Sequence, residues 1–188
     1  PSPDLSFDRV NPIYRAFVED YLRLHDMDPV RFCRPLPGQD EMFFKAILPN
    51  YEFDASISAF KFVESTMRLA DAYRQIVDGV FGGFDKLHTV LDFASGWGRL
   101  TRFLDQRLRP DQIFVADIYH QAVDWQVATF GVNGVHSTKD PAALDYEGHH
   151  DIVLVGSMFS HLPSGLFHEW LVRLYSLVSE RGVLAFSV

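Results

Sequence analysis

Two carboxylates sit where apolar strand segments end, and a buried strand does not tolerate an acid there without a task for it. Asp92 lies in the run Thr89-Val90-Leu91-Asp92-Phe93, and Asp117 closes the run Gln112-Ile113-Phe114-Val115-Ala116-Asp117. Between them, Ala94-Ser95-Gly96-Trp97-Gly98 reads as a tight turn, after which Leu100, Phe103, Leu104 and Leu108 recur at helical spacing. The order strand, turn, helix puts Asp92 at the carboxyl end of a strand, facing the crevice where open α/β sheets bind ligands. Gly96 and Gly98 let the backbone bend and let a ligand approach without a Cβ in the way. The amides that follow are expected to belong to a helix N-terminus, whose partial positive charge favours an anionic ligand group. Asp117 falls about 20 residues beyond Gly98, the spacing at which nucleotide-type folds hold a ribose diol.

The turn separates two ligand classes. A dinucleotide fingerprint needs a third glycine three residues after the second, and Thr101 stands there. A carboxylate four residues before Gly96 also suits an ammonium better than a pyrophosphate. The run Asp92-x-Ala94-x-Gly96-x-Gly98 resembles motif I of the class I S-adenosylmethionine-dependent methyltransferases, acid-x-Gly-x-Gly-x-Gly, with Ala94 in place of the first glycine. The resemblance implies that S-adenosylmethionine is the cofactor. It makes Asp92 the partner of the methionine ammonium and Asp117 that of the ribose. It places Ala94, Ser95, Gly96, Trp97, Gly98, Arg99, Ile118, Thr138 and Ser157 along the cofactor. Trp97 and Arg99 would line the methionine end; toward the adenine, Ser137, Thr138 and Asp140 are equal local candidates.

A third segment, from Asp151 through an apolar run to Gly156-Ser157-Met158-Phe159-Ser160-His161-Leu162-Pro163, resembles the fourth strand and following turn of small-molecule methyltransferases. Ala122, Val123, Val127 and Phe130 mark a helix before it, and Val132 to Thr138 a short strand. After it, Leu166, Trp170, Leu171, Leu174 and Val178 trace a helical stripe, and Gly182 to Val188 reads as a fifth strand. Strand and helix alternate from about Thr89 onward, which predicts an α/β doubly wound, mostly parallel Rossmann-like sheet over residues 86–188. The family's sheet continues beyond a fifth strand, so the chain, which begins at Pro1 and stops at Val188, is expected to be a piece of a longer protein lacking its last strands.

Residues 1–85 read as a helical extension or cap. Asn11-Pro12 is a helix start, with Ile13, Phe17 and Tyr21 on one face. Arg34-Pro35-Leu36-Pro37-Gly38 and Pro49-Asn50 break the chain. A long helix is expected from about Ser56 to Phe81, with Ile57, Phe60, Val63, Met67, Ala70, Tyr73, Val77 and Val80 near one stripe and Gly82-Gly83 ending it. The phenylalanines Phe43, Phe44, Phe53, Phe60 and Phe62 suit core packing better than a substrate-binding lid.

The remaining composition narrows the partners. At 188 residues and 47% hydrophobic content the chain can bury a full core. A net charge of −8 disfavours a nucleic-acid backbone, no long apolar run suggests a membrane span, and the single Cys33 excludes an internal disulfide, so a cytoplasmic location is expected. His149-His150-Asp151 lacks a second ligand pair for a metal and reads as a solvated loop. His161, after the fourth strand, is the one candidate catalytic base. The resemblance implies methyl transfer to a small-molecule oxygen or nitrogen, oxygen slightly ahead by family frequency. An NAD(P)-dependent oxidoreductase and a non-catalytic binding module remain the alternatives.

Overall fold

The computed structural model describes residues 5–188. These form two compact units, the first ending at Asp71 and the second beginning at Ala72. In the first, Asn11 caps helix α1 (Pro12–Leu24), its side-chain oxygen accepting from the Ile13 amide at 3.0 Å, while Pro12 occupies the first turn where a missing N–H does no harm. The buried face of α1 is rotated from the stripe read in the sequence: Val18 and Leu22 are buried, whereas Ile13 and Phe17 are exposed. A second short helix, α2 (Pro29–Phe32), is capped by Asp28.

A π-helical segment, Met42–Ile47, runs directly into α3 (Leu48–Asn50). Pro49 therefore does not break the chain as expected. It stands in the first turn of α3, where no amide is needed, and the chain leaves the helix only at Tyr51. Asp54 then accepts from the amides of Ser56 and Ile57 and opens α4 (Ala55–Phe81), the long helix anticipated from residue 56. Val63, Met67, Ala70, Tyr73 and Val77 are buried along it, and Val80 is not. Among the phenylalanines, Phe43 and Phe62 are core and meet edge-on at 5.9 Å, while Phe53 is 70% exposed.

The second unit holds β1 (Val90–Phe93), α5 (Thr101–Leu104), β2 (Ile113–Asp117), α6 (His120–Phe130), β3 (Asn133–His136), β4 (His150–Val155), α7 (Ser164–Tyr175) and β5 (Val178–Phe186). The strands pair in the order β3-β2-β1-β4-β5, every pair parallel. This is the doubly wound α/β sheet that the alternation of elements predicts. Strands covered on both faces need apolar residues at nearly every position, which is why β1 and β4 read as continuous apolar runs. On one face Leu91, Phe93, Val153 and Val155 pack with Trp170 and Leu174 of α7.

Three local expectations are corrected. The helix after the glycine turn is a single turn, because beyond Leu104 the chain continues in isolated turns rather than a regular helix, so it supplies no extended array of free amides. The fifth strand starts at Val178, not at Gly182. A register shift falls opposite Gly182, where a Cβ would meet the carbonyl oxygens of Asp151 and His150 at 2.7 and 2.8 Å. His149 is exposed as expected, but His150 is buried at the start of β4, with the Tyr146 hydroxyl 2.9 Å from its Nε2 and the Phe114 ring beside it. Burial pushes the His150 imidazole down to about 4. Among the described residues no group of three metal-ligating side chains is arranged around a common point, and no helix is long and apolar enough to cross a membrane.

Candidate functional site

After β1 the chain builds β2 and β3 on one side of it, then returns to lay β4 and β5 on the other. The crevice of such a sheet opens at the carboxyl ends of the two strands that flank this reversal, here β1 and β4. Asp92 and Asp117, on neighbouring strands β1 and β2, both lie at that end and are both buried.

Asp92 is the more unusual of the two. Its Oδ2 is buried with no hydrogen-bond partner. Burial first, and then the nearby Asp117 charge, raise its carboxyl to about 7, against smaller opposing effects of Arg99 and Thr101. The Thr101 hydroxyl has one proton and donates it to Gln126 Oε1 at 2.6 Å. An acid buried with an open acceptor is stable only if it stays protonated or receives a donor, and a cation supplies both donor and countercharge.

Asp117 is better served. Its Oδ2 accepts from the Gly96 amide at 2.8 Å and its Oδ1 from the Tyr119 amide at 2.9 Å. Burial raises this carboxyl too, and those amides pull it back. A carboxylate offers about four acceptor positions, so two remain for a further pair of hydroxyl donors.

The turn between them is shaped by three residues in left-handed conformation, Ala94 (φ 58°), Gly96 (φ 56°) and Gly98 (φ 77°). The two glycines have different tasks. A Cβ on Gly96 would meet nothing within 4 Å, so that position faces open space. On Gly98 it would press on Gln126 and Phe130 of α6 at 3.1 Å, so that glycine lets helix and turn close on each other. The Gly96 and Gly98 amides are already engaged, with Asp117 and with the Ser95 carbonyl. What the turn offers a ligand is therefore space beside two carboxylates rather than the helix amides expected from sequence.

Gln126 is a positioning residue that the sequence reading passed over. From α6 its Nε2 donates to Ser95 Oγ at 2.9 Å and to the Gly96 carbonyl at 2.8 Å, while its Oε1 accepts from Thr101. One buried amide thus ties both ends of the turn to α6. The available signal was a polar residue inside the apolar stripe of Ala122, Val123 and Phe130. Arg102 adds to the docking, its guanidinium lying over the Trp125 and Phe130 rings at 5.9 and 5.8 Å.

Trp97 is half-buried against Trp125, ring centroids 6.1 Å apart, and Arg99 lies close enough to Asp92 to offset part of its charge. Ile118 is exposed just past Asp117. Of the three local candidates after β3, Thr138 donates to the Asp140 carbonyl and Asp140 caps the turn Pro141–Ala143, leaving Ser137 with a buried hydroxyl that has no partner. Ser157 is strained (φ 62°), its amide bound to Ser187 Oγ at 2.8 Å. His161 is exposed on the turn Phe159–His161, and its imidazole makes no hydrogen bond to the described residues.

No family model and no curated protein matches the sequence. Solved structures do. A sugar N-methyltransferase, KedS8, from Streptoalloteichus sp ATCC 53650 superposes with a TM-score of 0.52 over 62% of this chain and 46% of its own, at 18% identity. The N-methyltransferase NodS from Bradyrhizobium japonicum WM9, solved with S-adenosyl-L-homocysteine, gives 0.52 over 66% of this chain and 61% of its own, at 13% identity. The chain spans less than two thirds of the length of either protein. The fold is thus that of the S-adenosylmethionine-dependent methyltransferases, as the resemblance in motif I implies.

Proposed function

We propose that this chain binds S-adenosylmethionine and directs its methyl group to a small-molecule acceptor through an oxygen or nitrogen nucleophile. The observation that carries the reading is the pair of buried carboxylates at the reversal of the sheet, one with an unpartnered oxygen and the other with acceptor positions to spare. Those residues fit the group. Asp92 would take the ammonium, Asp117 the two ribose hydroxyls, and the open side of Gly96 would admit the ligand.

The cofactor supplies the activated methyl. The chain's part is to fix the donor at both ends, because orientation of two reactants alone is worth about 7–11 kcal/mol of barrier. Gln126 contributes indirectly, by holding Ser95 and Gly96 so that the turn does not move when the ligand leaves. For an acceptor hydroxyl or protonated amine, we assign His161 as the base, exposed and with its imidazole uncommitted.

Calorimetric titration with S-adenosylhomocysteine and, separately, NADH tests the reading, repeated on Asp92→Ala and Asp117→Ala. Micromolar binding of the first ligand alone, weakened tenfold or more by each substitution, is the expected result. Binding of NADH alone would transfer the site to the oxidoreductase alternative. A ligand-binding chain that transfers no methyl group to any of a broad panel of amines and alcohols would be a binding module.

A further inference from the structure

Two histidines fasten the end of β3 to the start of α6. His120, the first residue of α6, has its Nε2 3.1 Å from the Ser137 carbonyl, and a carbonyl oxygen only accepts, so that nitrogen carries the donated proton. His136, the last residue of β3, reaches from its Nε2 to Asp124 Oδ1 on α6 at 2.8 Å. Between these two bonds the imidazoles stack face to face, centroids 4.2 Å apart and planes within 5°. Both histidines are exposed, so neither is there to fill the core.

What they hold adjoins the second acid of the crevice. His136 is the register partner of Asp117 across β2 and β3, and the Ser137 amide donates to the Asp117 carbonyl at 3.0 Å. Ser137 therefore has its amide and its carbonyl both engaged, while its hydroxyl, in a residue 2% exposed, has no partner. Folded chains keep few buried polar atoms unpaired, so this hydroxyl points to something that binds there. We infer that His120 and His136 are positioning residues, a clasp that keeps Ser137 and Asp117 in their ligand-bound arrangement before the nucleoside end of the ligand arrives. Groups left unsatisfied for a ligand stay in place only if the backbone beneath them is fixed by other contacts. On the β1 side of Asp117 that support is Gln126, through Ser95 and Gly96; on the β3 side it is the histidine pair. The assignment rests on the methyltransferase reading, and it adds to that reading two residues that act through Ser137 and Asp117.

The test compares wild type, His120→Ala and His120→Gln, since a glutamine amide can still donate to the Ser137 carbonyl. Amide hydrogen exchange is followed without ligand, and binding of S-adenosylhomocysteine and of 5′-methylthioadenosine, which keeps the nucleoside and lacks the amino-acid end, by calorimetry. In His120→Ala the Ser137 amide should exchange about tenfold faster, and both ligands should bind about fivefold more weakly, as for one lost hydrogen bond. The melting temperature should stay close to wild type, because the ring removed is exposed. His120→Gln should recover most of the exchange protection and of the affinity. Unchanged Ser137 exchange would overturn the clasp, and faster exchange with full affinity for both ligands would reduce it to a structural contact. A loss confined to S-adenosylhomocysteine, or a glutamine variant as weak as alanine, would overturn the assignment as well. Wild type that binds neither ligand would overturn the methyltransferase reading instead, and the exchange rates alone would then decide whether the clasp holds Ser137.

Discussion

Asp92 is held near the boundary between its charged and neutral forms. Folding raises its carboxyl from 3.8 to about 7, chiefly by burial and then by Asp117. The folded chain therefore binds this proton more readily than the unfolded one, so the stability it contributes is present below about pH 4 and lost as pH rises to 7. Asp92→Asn cannot ionise and should escape that loss. In urea titrations without ligand, the variant is expected to gain on wild type by a few kcal/mol between pH 4 and pH 8, and a pH-independent difference would refute the shift. Ala94 is the second residue whose local state carries a prediction. It occupies a left-handed conformation (φ 58°) that costs an alanine about 1–2 kcal/mol and a glycine almost nothing. Ala94→Gly should accordingly raise stability by about 1 kcal/mol by chemical denaturation. A loss instead would mean that the methyl group's contacts with the core beneath it outweigh the strain.

At the scale of elements, α6 acts on the turn through a single side chain. The motif was legible in the sequence because glycine spacing and strand composition are local properties, whereas the clamp joins residues 31 apart in the chain. Replacing Gln126 with leucine would leave the Thr101 hydroxyl and the Gly96 carbonyl without their Gln126 partner and take from the Ser95 hydroxyl its donor, leaving it only the Ala116 carbonyl. A loss of about 3 kcal/mol is expected, together with weaker S-adenosylhomocysteine binding. Destabilisation with full ligand affinity would show that the turn keeps its shape without α6. The shortness of α5 belongs to the same scale. Leu100, Phe103, Leu104 and Leu108 do have helical spacing and are all buried, yet the chain beyond Leu104 forms separate turns. Burial of that stripe does not require a continuous helix.

The whole molecule titrates through opposing groups. His150 is pushed down to about 4 by burial, so the unfolded chain takes up its proton first, and the stability it contributes above pH 6.5 is lost as pH falls toward 4. Asp92 works in the other direction over the same range, and the two partly cancel in wild type. In an Asp92→Asn background the acid side should stand alone. Stability is expected to fall by about 3 kcal/mol from pH 6.5 to 4, and the fall should shrink when His150→Phe is added. A profile unaffected by His150→Phe would assign the acid sensitivity to other groups.

Periodicity and glycine placement in the sequence were sufficient for the strand order of chemistry: Asp92 and Asp117 at the ends of parallel strands, a tight turn between them, and the α/β alternation that follows. These rest on the repeat of apolar residues and on backbone conformations that a few residues determine among themselves. Only the tertiary structure decided that Gly98 serves packing while Gly96 faces open space, that Gln126 and not a helix terminus supports the turn, and that Ser137 keeps the spare hydroxyl. Each of these depends on which distant partners meet. The spacing of residues within one segment limits which side of it is buried, but the atoms waiting on that side belong to other elements, and their hydrogen-bonding needs are settled only when the segments close on one another.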